Sequence, residues 1–289
     1  MHPAPLLPAG LAARADAVAS LIRERLDTPE RADAHAVRAA GQTDMSFWTG
    51  ASLSEGYAGL ALLHLHTARG ARDETDRKPS LDRAFAFVRA AFSATQESPL
   101  THPGLFDGMA GLAFVLQDVS VDEPRFLPSL ARLHEQLARH TLAMELPRRS
   151  GAVAGHHFDL VYGSAGVLAQ LCAAPSTTPL VEQALERCLD HLVWVGNERR
   201  WAVGDRLCTG MSHGAAGIAA ALAAAWRHGH RLPGQRLVLD RLVEWLLWAG
   251  TAEGRRLQWP KELPSDSRVA PGVLPPRCWP WPPRRATRP

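Results

Sequence analysis

Four ionisable side chains stand at one recurring place in the chain, and their types are those of proton transfer. Glu55, Asp107, Tyr162 and His213 each immediately precede a Gly-x-x-G pair, and Asp159 lies four residues before the third pair. The phrases are SLSEGYAGLALL (52–63), GLFDGMAGLAFVL (104–116), FDLVYGSAGVLAQL (158–171) and TGMSHGAAGIAAAL (209–222). Acidic side chains at helix starts ordinarily act as caps and dipole partners, about 0.3–1 kcal/mol each, and that is the expectation for Glu55 and Asp107. His213 does not fit it, because a protonated ring at a helix start is opposed by the dipole. The same field favours neutral imidazole, which suits proton exchange or metal binding.

The glycines themselves set the frame for these groups. Gly56/Gly59, Gly108/Gly111, Gly163/Gly166 and Gly214/Gly217 precede apolar helical runs, with the first glycines 52, 55 and 51 residues apart. Glycine inside a helix costs roughly 0.5–1 kcal/mol relative to alanine, so eight at matched places imply a repeated geometric need. Two glycines three residues apart share a helix face, where they admit a neighbouring backbone or leave room for a ligand at the helix start. All eight are therefore candidate substrate-binding positions.

Between the phrases lie amphipathic segments of helical period at 11–26, 81–95, 126–144, 178–195 and 235–250. In the fourth, Leu180, Leu185, Leu189 and Leu192 form one stripe and Glu182, Glu186 and Asp190 another. Strand-like alternation is essentially absent, and turn formers at 97–104, 148–157 and 227–235 separate the helices. The pattern is outer helix, loop, glycine-led inner helix, four times over, with a fifth outer helix. A period near fifty residues means stacked helix pairs that run on as a solenoid or close into a ring. The apolar inner helices favour an all-α fold, a closed or partly closed α/α toroid, with the glycine-led helix starts gathered at one mouth and their free N–H groups facing a common cavity.

Composition excludes several alternatives. With 289 residues, 46% apolar and 21% charged, the chain is an ordinary globular one. A net charge of +3 with scattered arginines gives little support to a nucleic-acid partner beyond the Arg284–Arg285 pair in the tail, and none is expected. No signal peptide or membrane span is expected, so the default location is cytoplasmic. Cys172, Cys188, Cys208 and Cys278 are widely spaced, form no C-x-x-C pair, and are expected to be mostly buried thiols. His156 and His157, with Asp159, offer nitrogen and oxygen ligands, and Cys208 lies five residues before His213. Without a helical i, i+4 histidine pair, neither group is expected to form an independent metal site. Trp194, Trp201, Trp245 and Trp248 are at spacings that suit packing of the outer layer.

The set SLSEGYAG, LFDGMAG, FDLVYGSAG and MSHGAAG closely resembles the lanthionine synthetase cyclases, the LanC-like proteins, over about residues 50 to 250. The resemblance implies an α/α toroid, a zinc ion at the glycine-lined mouth, and addition of a peptide cysteine thiol to dehydroalanine or dehydrobutyrine. It implies a dehydrated precursor peptide as substrate and a lantibiotic dehydratase as a partner. Zinc would supply the thiolate, since a free thiol is mostly protonated at neutral pH. The enolate left by addition would then take a proton from a positioned acid. By resemblance, His213 in MSHGAAG matches the family histidine beside the metal, and Asp159 in FDLVYG an acidic residue that assists catalysis by orienting it. Tyr162, Glu55 and Asp107 match no family catalytic position.

The family's zinc-ligand phrases, W-C-Y-G and C-H-G, have no counterpart here. Cys278, next to Trp279, lies near where the first would begin, but in inverted order and with no glycine after it. No residue is therefore assigned as a metal ligand, and the zinc centre is expected to be incomplete. From about residue 268 the composition turns to Pro, Trp and Arg, which implies a toroid domain over 1–265, an irregular tail over 266–289, and a shortened family member ended by a frameshift. Two other readings follow: a non-catalytic scaffold that holds a peptide or dehydratase, and an α/α-toroid carbohydrate enzyme using Asp107 and Asp159 as an acidic pair.

Overall fold

The computed structural model describes residues 8–43, 48–147, 153–175, 178–203, 205–253 and 256–267. In chain order its helices are α1 (Ala9–Arg25), α2 (Pro29–Thr43), α3 (Tyr57–Gly70), α4 (Glu74–Glu97), α5 (Met109–Val119), α6 (Leu127–Ala143), α7 (Gly155–Phe158), α8 (Ser164–Cys172), α9 (Pro179–Asn197), α10 (Ala215–Arg227) and α11 (Gln235–Ala249). Five short strands accompany them: β1 (Ala202–Val203), β2 (Arg206–Cys208), β3 (Thr251–Glu253), β4 (Arg256–Gln258) and β5 (Glu262–Pro264). No helix among the described residues is long and apolar enough to cross a membrane. The tail from residue 268, with Cys278, lies outside the described residues.

The chain divides into two compact units, Met1–His140 with Ala174–Thr178, and Thr141–Ala173 with Pro179–Pro289. In the first, α3 packs on α4 and α5. Its core is Ala58, Ala61 and Leu65 of α3, Phe87 and Val88 of α4, and Leu112, Val115 and Leu116 of α5, each at most 1% exposed. Small residues on the inner helices bring the backbones close, and the larger side chains of α4 fill the space between. At the far end, Arg69 Nη1 donates to Asp118 Oδ1 at 2.6 Å and Arg69 Nε to Asp122 Oδ2 at 3.0 Å, tying α3 to α5.

In the second unit α8 packs on α9 and α10, and α11 packs on α10 and α9. The stripe on α9 is Val181, Leu185, Cys188, Leu189 and Leu192, all buried against α8 residues such as Val167, Leu168 and Leu171. Trp201 and Trp245 meet edge to face with ring centres 5.8 Å apart, both buried, in line with the packing role expected of them. Antiparallel strands in the order β1–β2–β5 feed the chain into the fourth phrase. Thr209 fixes that entry, its hydroxyl donating to Pro260 O at 2.5 Å and its N–H to Lys261 O at 3.1 Å.

The five amphipathic segments and the four glycine-led helices correspond to helices of the structure. The expectation that strands are absent is corrected by the five short ones. At two or three residues each they are too short for alternation to show. Helix α2 was also silent in the sequence, since its less polar face is mostly alanine and Ala32 is its one buried residue.

Candidate functional site

Each inner helix begins the same way. Gly56, Gly108, Gly163 and Gly214 are the N-cap residues of α3, α5, α8 and α10, with extended backbone and no side-chain cap bond. Their φ values, −155°, −125°, −95° and −143°, are open to any residue. What demands glycine is the preceding loop, folded back over the helix start. A Cβ would meet Thr49 O at Gly56, His102 O at Gly108, the Asp159 N at Gly163 and Cys208 O at Gly214. Three residues on, a Cβ at Gly59, Gly111 or Gly217 would meet the carbonyl of Leu53, Leu105 or Met211. The matched glycines thus admit backbone against backbone.

The folded loops are joined in pairs by an identical bond. Leu53 N–H donates to Phe106 O at 2.9 Å in the first unit, and Leu160 N–H to Ser212 O at 2.9 Å in the second. In both cases the donor lies three residues before its phrase's first glycine and the acceptor two before the next.

Side chains repeat the correspondence. The residue four before the glycine, Ser52 or Asp159, accepts the N–H three residues on, Glu55 at 3.1 Å or Tyr162 at 2.7 Å. It then reaches the residue immediately before the next phrase's glycine. Ser52 Oγ donates to Asp107 Oδ1 at 2.9 Å, and Asp159 Oδ2 lies 2.8 Å from His213 Nδ1. The first unit thus holds an acid with hydroxyls, Ser54 Oγ adding a second bond at 2.7 Å. The second holds an imidazole with an acid. Glu55 is exposed, and neither it nor Asp107 caps its helix, which corrects the capping expectation: the glycine is the cap and Asp107 is engaged by serines.

The Asp159–His213 pair has the form of an acid–base unit. Asp159 is 2% exposed, and its Oδ1 also accepts Gly163 N–H at 3.0 Å. With Oδ1 taken by backbone donors, Oδ2 is left as the acceptor for the ring, so Nδ1 carries the hydrogen and Nε2 is the nitrogen left for exchange. The His213 side chain is 54% exposed, which leaves it accessible to a reacting group. An acid so deeply enclosed and so fully bonded does not present itself to a sugar, which disfavours Asp159 as half of a glycosidase pair.

The remaining candidates are placed otherwise. Tyr162 is 38% exposed and contributes its backbone N–H to Asp159. The rings of His156 and His157 lie 4.1 Å apart on the single turn α7, and burial pushes the His157 ring below its ordinary range. Cys208 is buried at the end of β2. Cys172 and Cys188 are buried thiols pushed up to about 12 by desolvation. Among the described residues no group of three or more His, Cys, Asp or Glu side chains is placed to hold a metal ion. A sequence signal for the Ser52–Asp107 pairing existed in the register of the phrases, but serine carried no chemistry that singled it out.

Comparison with known proteins agrees with this architecture. A family model described as lanthionine synthetase C-like protein matches residues 47–270. Among solved structures, a nisin cyclase is similar, with a TM-score of 0.59 and 17% sequence identity over 86% of this chain and 67% of that one. This likeness assigns the mainly helical fold to the α/α toroid class. No curated protein matches the chain.

Proposed function

The chain belongs to the lanthionine synthetase C-like family, and from that premise we propose that it closes thioether rings in a dehydrated peptide, with His213 as the proton carrier and Asp159 as the group that orients it. The observation that supports this reading is the 2.8 Å contact between the half-exposed imidazole and the enclosed carboxylate. In the reaction the thiol gives up its proton and a sulfur–carbon bond forms at the β-carbon of the dehydro residue. The alkene electron pair moves to the α-carbon, which takes a proton, so the net change is addition of S–H across the double bond. The Nδ1–H donates to Asp159, which leaves the Nε2 lone pair to take the proton given up by the thiol and then to pass it to that α-carbon. The developing positive charge on the ring is balanced by the carboxylate behind it.

The glycine-led helix starts of each unit are proposed as peptide-contacting positions. The N–H groups expected to be free there are in part engaged by the folded-back loops, Tyr57 N–H donating to Gly50 O at 2.9 Å, Met109 N–H to His102 O at 3.0 Å and Ala216 N–H to Thr209 O at 3.4 Å. Zinc, expected of the family, would supply thiolate when bound. The described residues do not offer that ion a ligand set, so no step is assigned to it and proton handling is what this chain's own side chains are given. A dehydratase partner and a cytoplasmic location are proposed with the same reading.

A direct test mixes the protein with a dehydrated precursor peptide and counts free thiols by alkylation and mass spectrometry. Loss of thiols with wild type, slowed about 10²- to 10⁴-fold by His213→Asn, is expected. Ring closure that proceeds unchanged in that variant would overturn the role of His213. Peptide binding with no thiol loss would favour the scaffold reading.

A further inference from the structure

We infer that His191 and Ser164 form a positioning pair that holds Asp159 in register with His213, an inference that rests on the function proposed above. Ser164 is the first residue of α8 and His191 lies on the packed stripe of α9. Ser164 Oγ and His191 Nδ1 are 2.9 Å apart, and both residues are 0% exposed. A serine and a histidine so placed resemble a nucleophile and its base, but no substrate reaches a fully enclosed hydroxyl. Their use must be internal.

What they position follows from the bonds around Asp159. Its carboxylate accepts Tyr162 N–H and Gly163 N–H, and its carbonyl accepts the N–H of Gly163 at 3.1 Å and of Gly166 at 3.4 Å. Those donors belong to the start of α8. Gly163 also packs directly against the backbone of Phe158 and Asp159, leaving no slack between them. A shift of the first turn of α8 therefore carries the carboxylate with it, and misplacement by a fraction of an ångström is enough to weaken a catalytic contact. Ser164 is the next residue after this cradle, and its buried bond to α9 anchors the turn to the outer layer. His191 is held in turn by stacking on Trp194, ring centres 6.1 Å apart.

The test uses the whole chain with Ser164→Ala, His191→Phe, the double variant and His191→Asn. Two readouts are taken: kcat and KM on a dehydrated peptide, and the tautomer of His213 from long-range proton–nitrogen spectra of imidazole-labelled protein. Wild type is expected to show the Nδ1–H form. Both single variants are expected to lower kcat about tenfold with KM unchanged, and to move His213 towards the mixture of a free imidazole. The double variant falls no further than the worse single one, as for two members of one contact. Asparagine at 191 restores much of the loss, because its amide sits where Nδ1 was. If His191→Phe does not fold, Ser164→Ala, which removes one oxygen, carries the test. An unchanged His213 tautomer in folded Ser164→Ala overturns the inference. Should His213→Asn leave ring closure intact, the functional reading fails, while the tautomer measurement still decides the positioning role.

Discussion

At the scale of residues, Asp159→Asn is the sharpest probe of the proposed site. The amide keeps an oxygen for Tyr162 N–H and Gly163 N–H and turns its NH2 towards the ring, so Nδ1 must become an acceptor and the hydrogen moves to Nε2. Activity is expected to fall about 10²- to 10⁴-fold with the melting temperature nearly unchanged, measured by thiol counting and circular dichroism. An active Asp159→Asn protein would show that the tautomer does not matter. The thiols give a second test. Burial raises Cys172 and Cys188 to about 12, so a thiol reagent at pH 8 is expected to leave both unlabelled in the native protein and to label them only after denaturation. Prompt labelling of either in the folded state would contradict the structure.

At the scale of elements, the glycines separate into two kinds. A methyl group at Gly56, Gly108 or Gly214 meets a carbonyl of the folded-back loop, whereas at Gly70, within α3, nothing lies within 4 Å. Alanine at each of the first three is expected to destabilise by about 1–3 kcal/mol or more, and Gly70→Ala to stabilise by about 0.4–1 kcal/mol. Chemical denaturation of the four variants checks the contrast; equal effects would mean that the loops yield. These elements also show how much was legible beforehand. Long stripes such as Leu185, Leu189 and Leu192 on α9 announced themselves because a buried helix face must repeat every three to four residues. The four helix starts were legible because close backbone approach tolerates no other side chain. Helix α2 carries mostly alanine and charge, and β2 pairs with β5 across more than fifty residues, so neither leaves a local pattern. His213 and Asp159 were visible as residue types in register. That Ser52 and Asp107 mirror them was not, because the equivalence lies in bonds across the loops.

At the scale of the whole molecule, two enclosed histidines make the fold sensitive to acid. Burial lowers His134 to about 4 and pushes His64 below its ordinary value, with Arg83 and Arg23 adding to the effect. In the unfolded chain both rings take a proton near pH 6.5, so below that value the unfolded state binds more protons than the folded one. Stability is therefore full above about pH 6.5 and declines on acidification, the His134 contribution towards about 4 with a slope that approaches about 1.4 kcal/mol per pH unit and His64 adding a loss of the same sign. The urea midpoint is expected to drop between pH 7 and pH 5, and His134→Leu to flatten that drop; a midpoint indifferent to pH would refute it. Both rings belong to the first unit, His64 stacked on Phe87 with ring centres 5.2 Å apart.

The paired loops carry one more consequence. Since the frame that seats the imidazole in one half is built again in the other around a carboxylate, the chain contains its own blank socket. Ser52→Asp with Asp107→His would graft a twin of the Asp159–His213 pair onto it, and the titration of that transplanted ring would calibrate what the surrounding backbone alone contributes, free of any substrate.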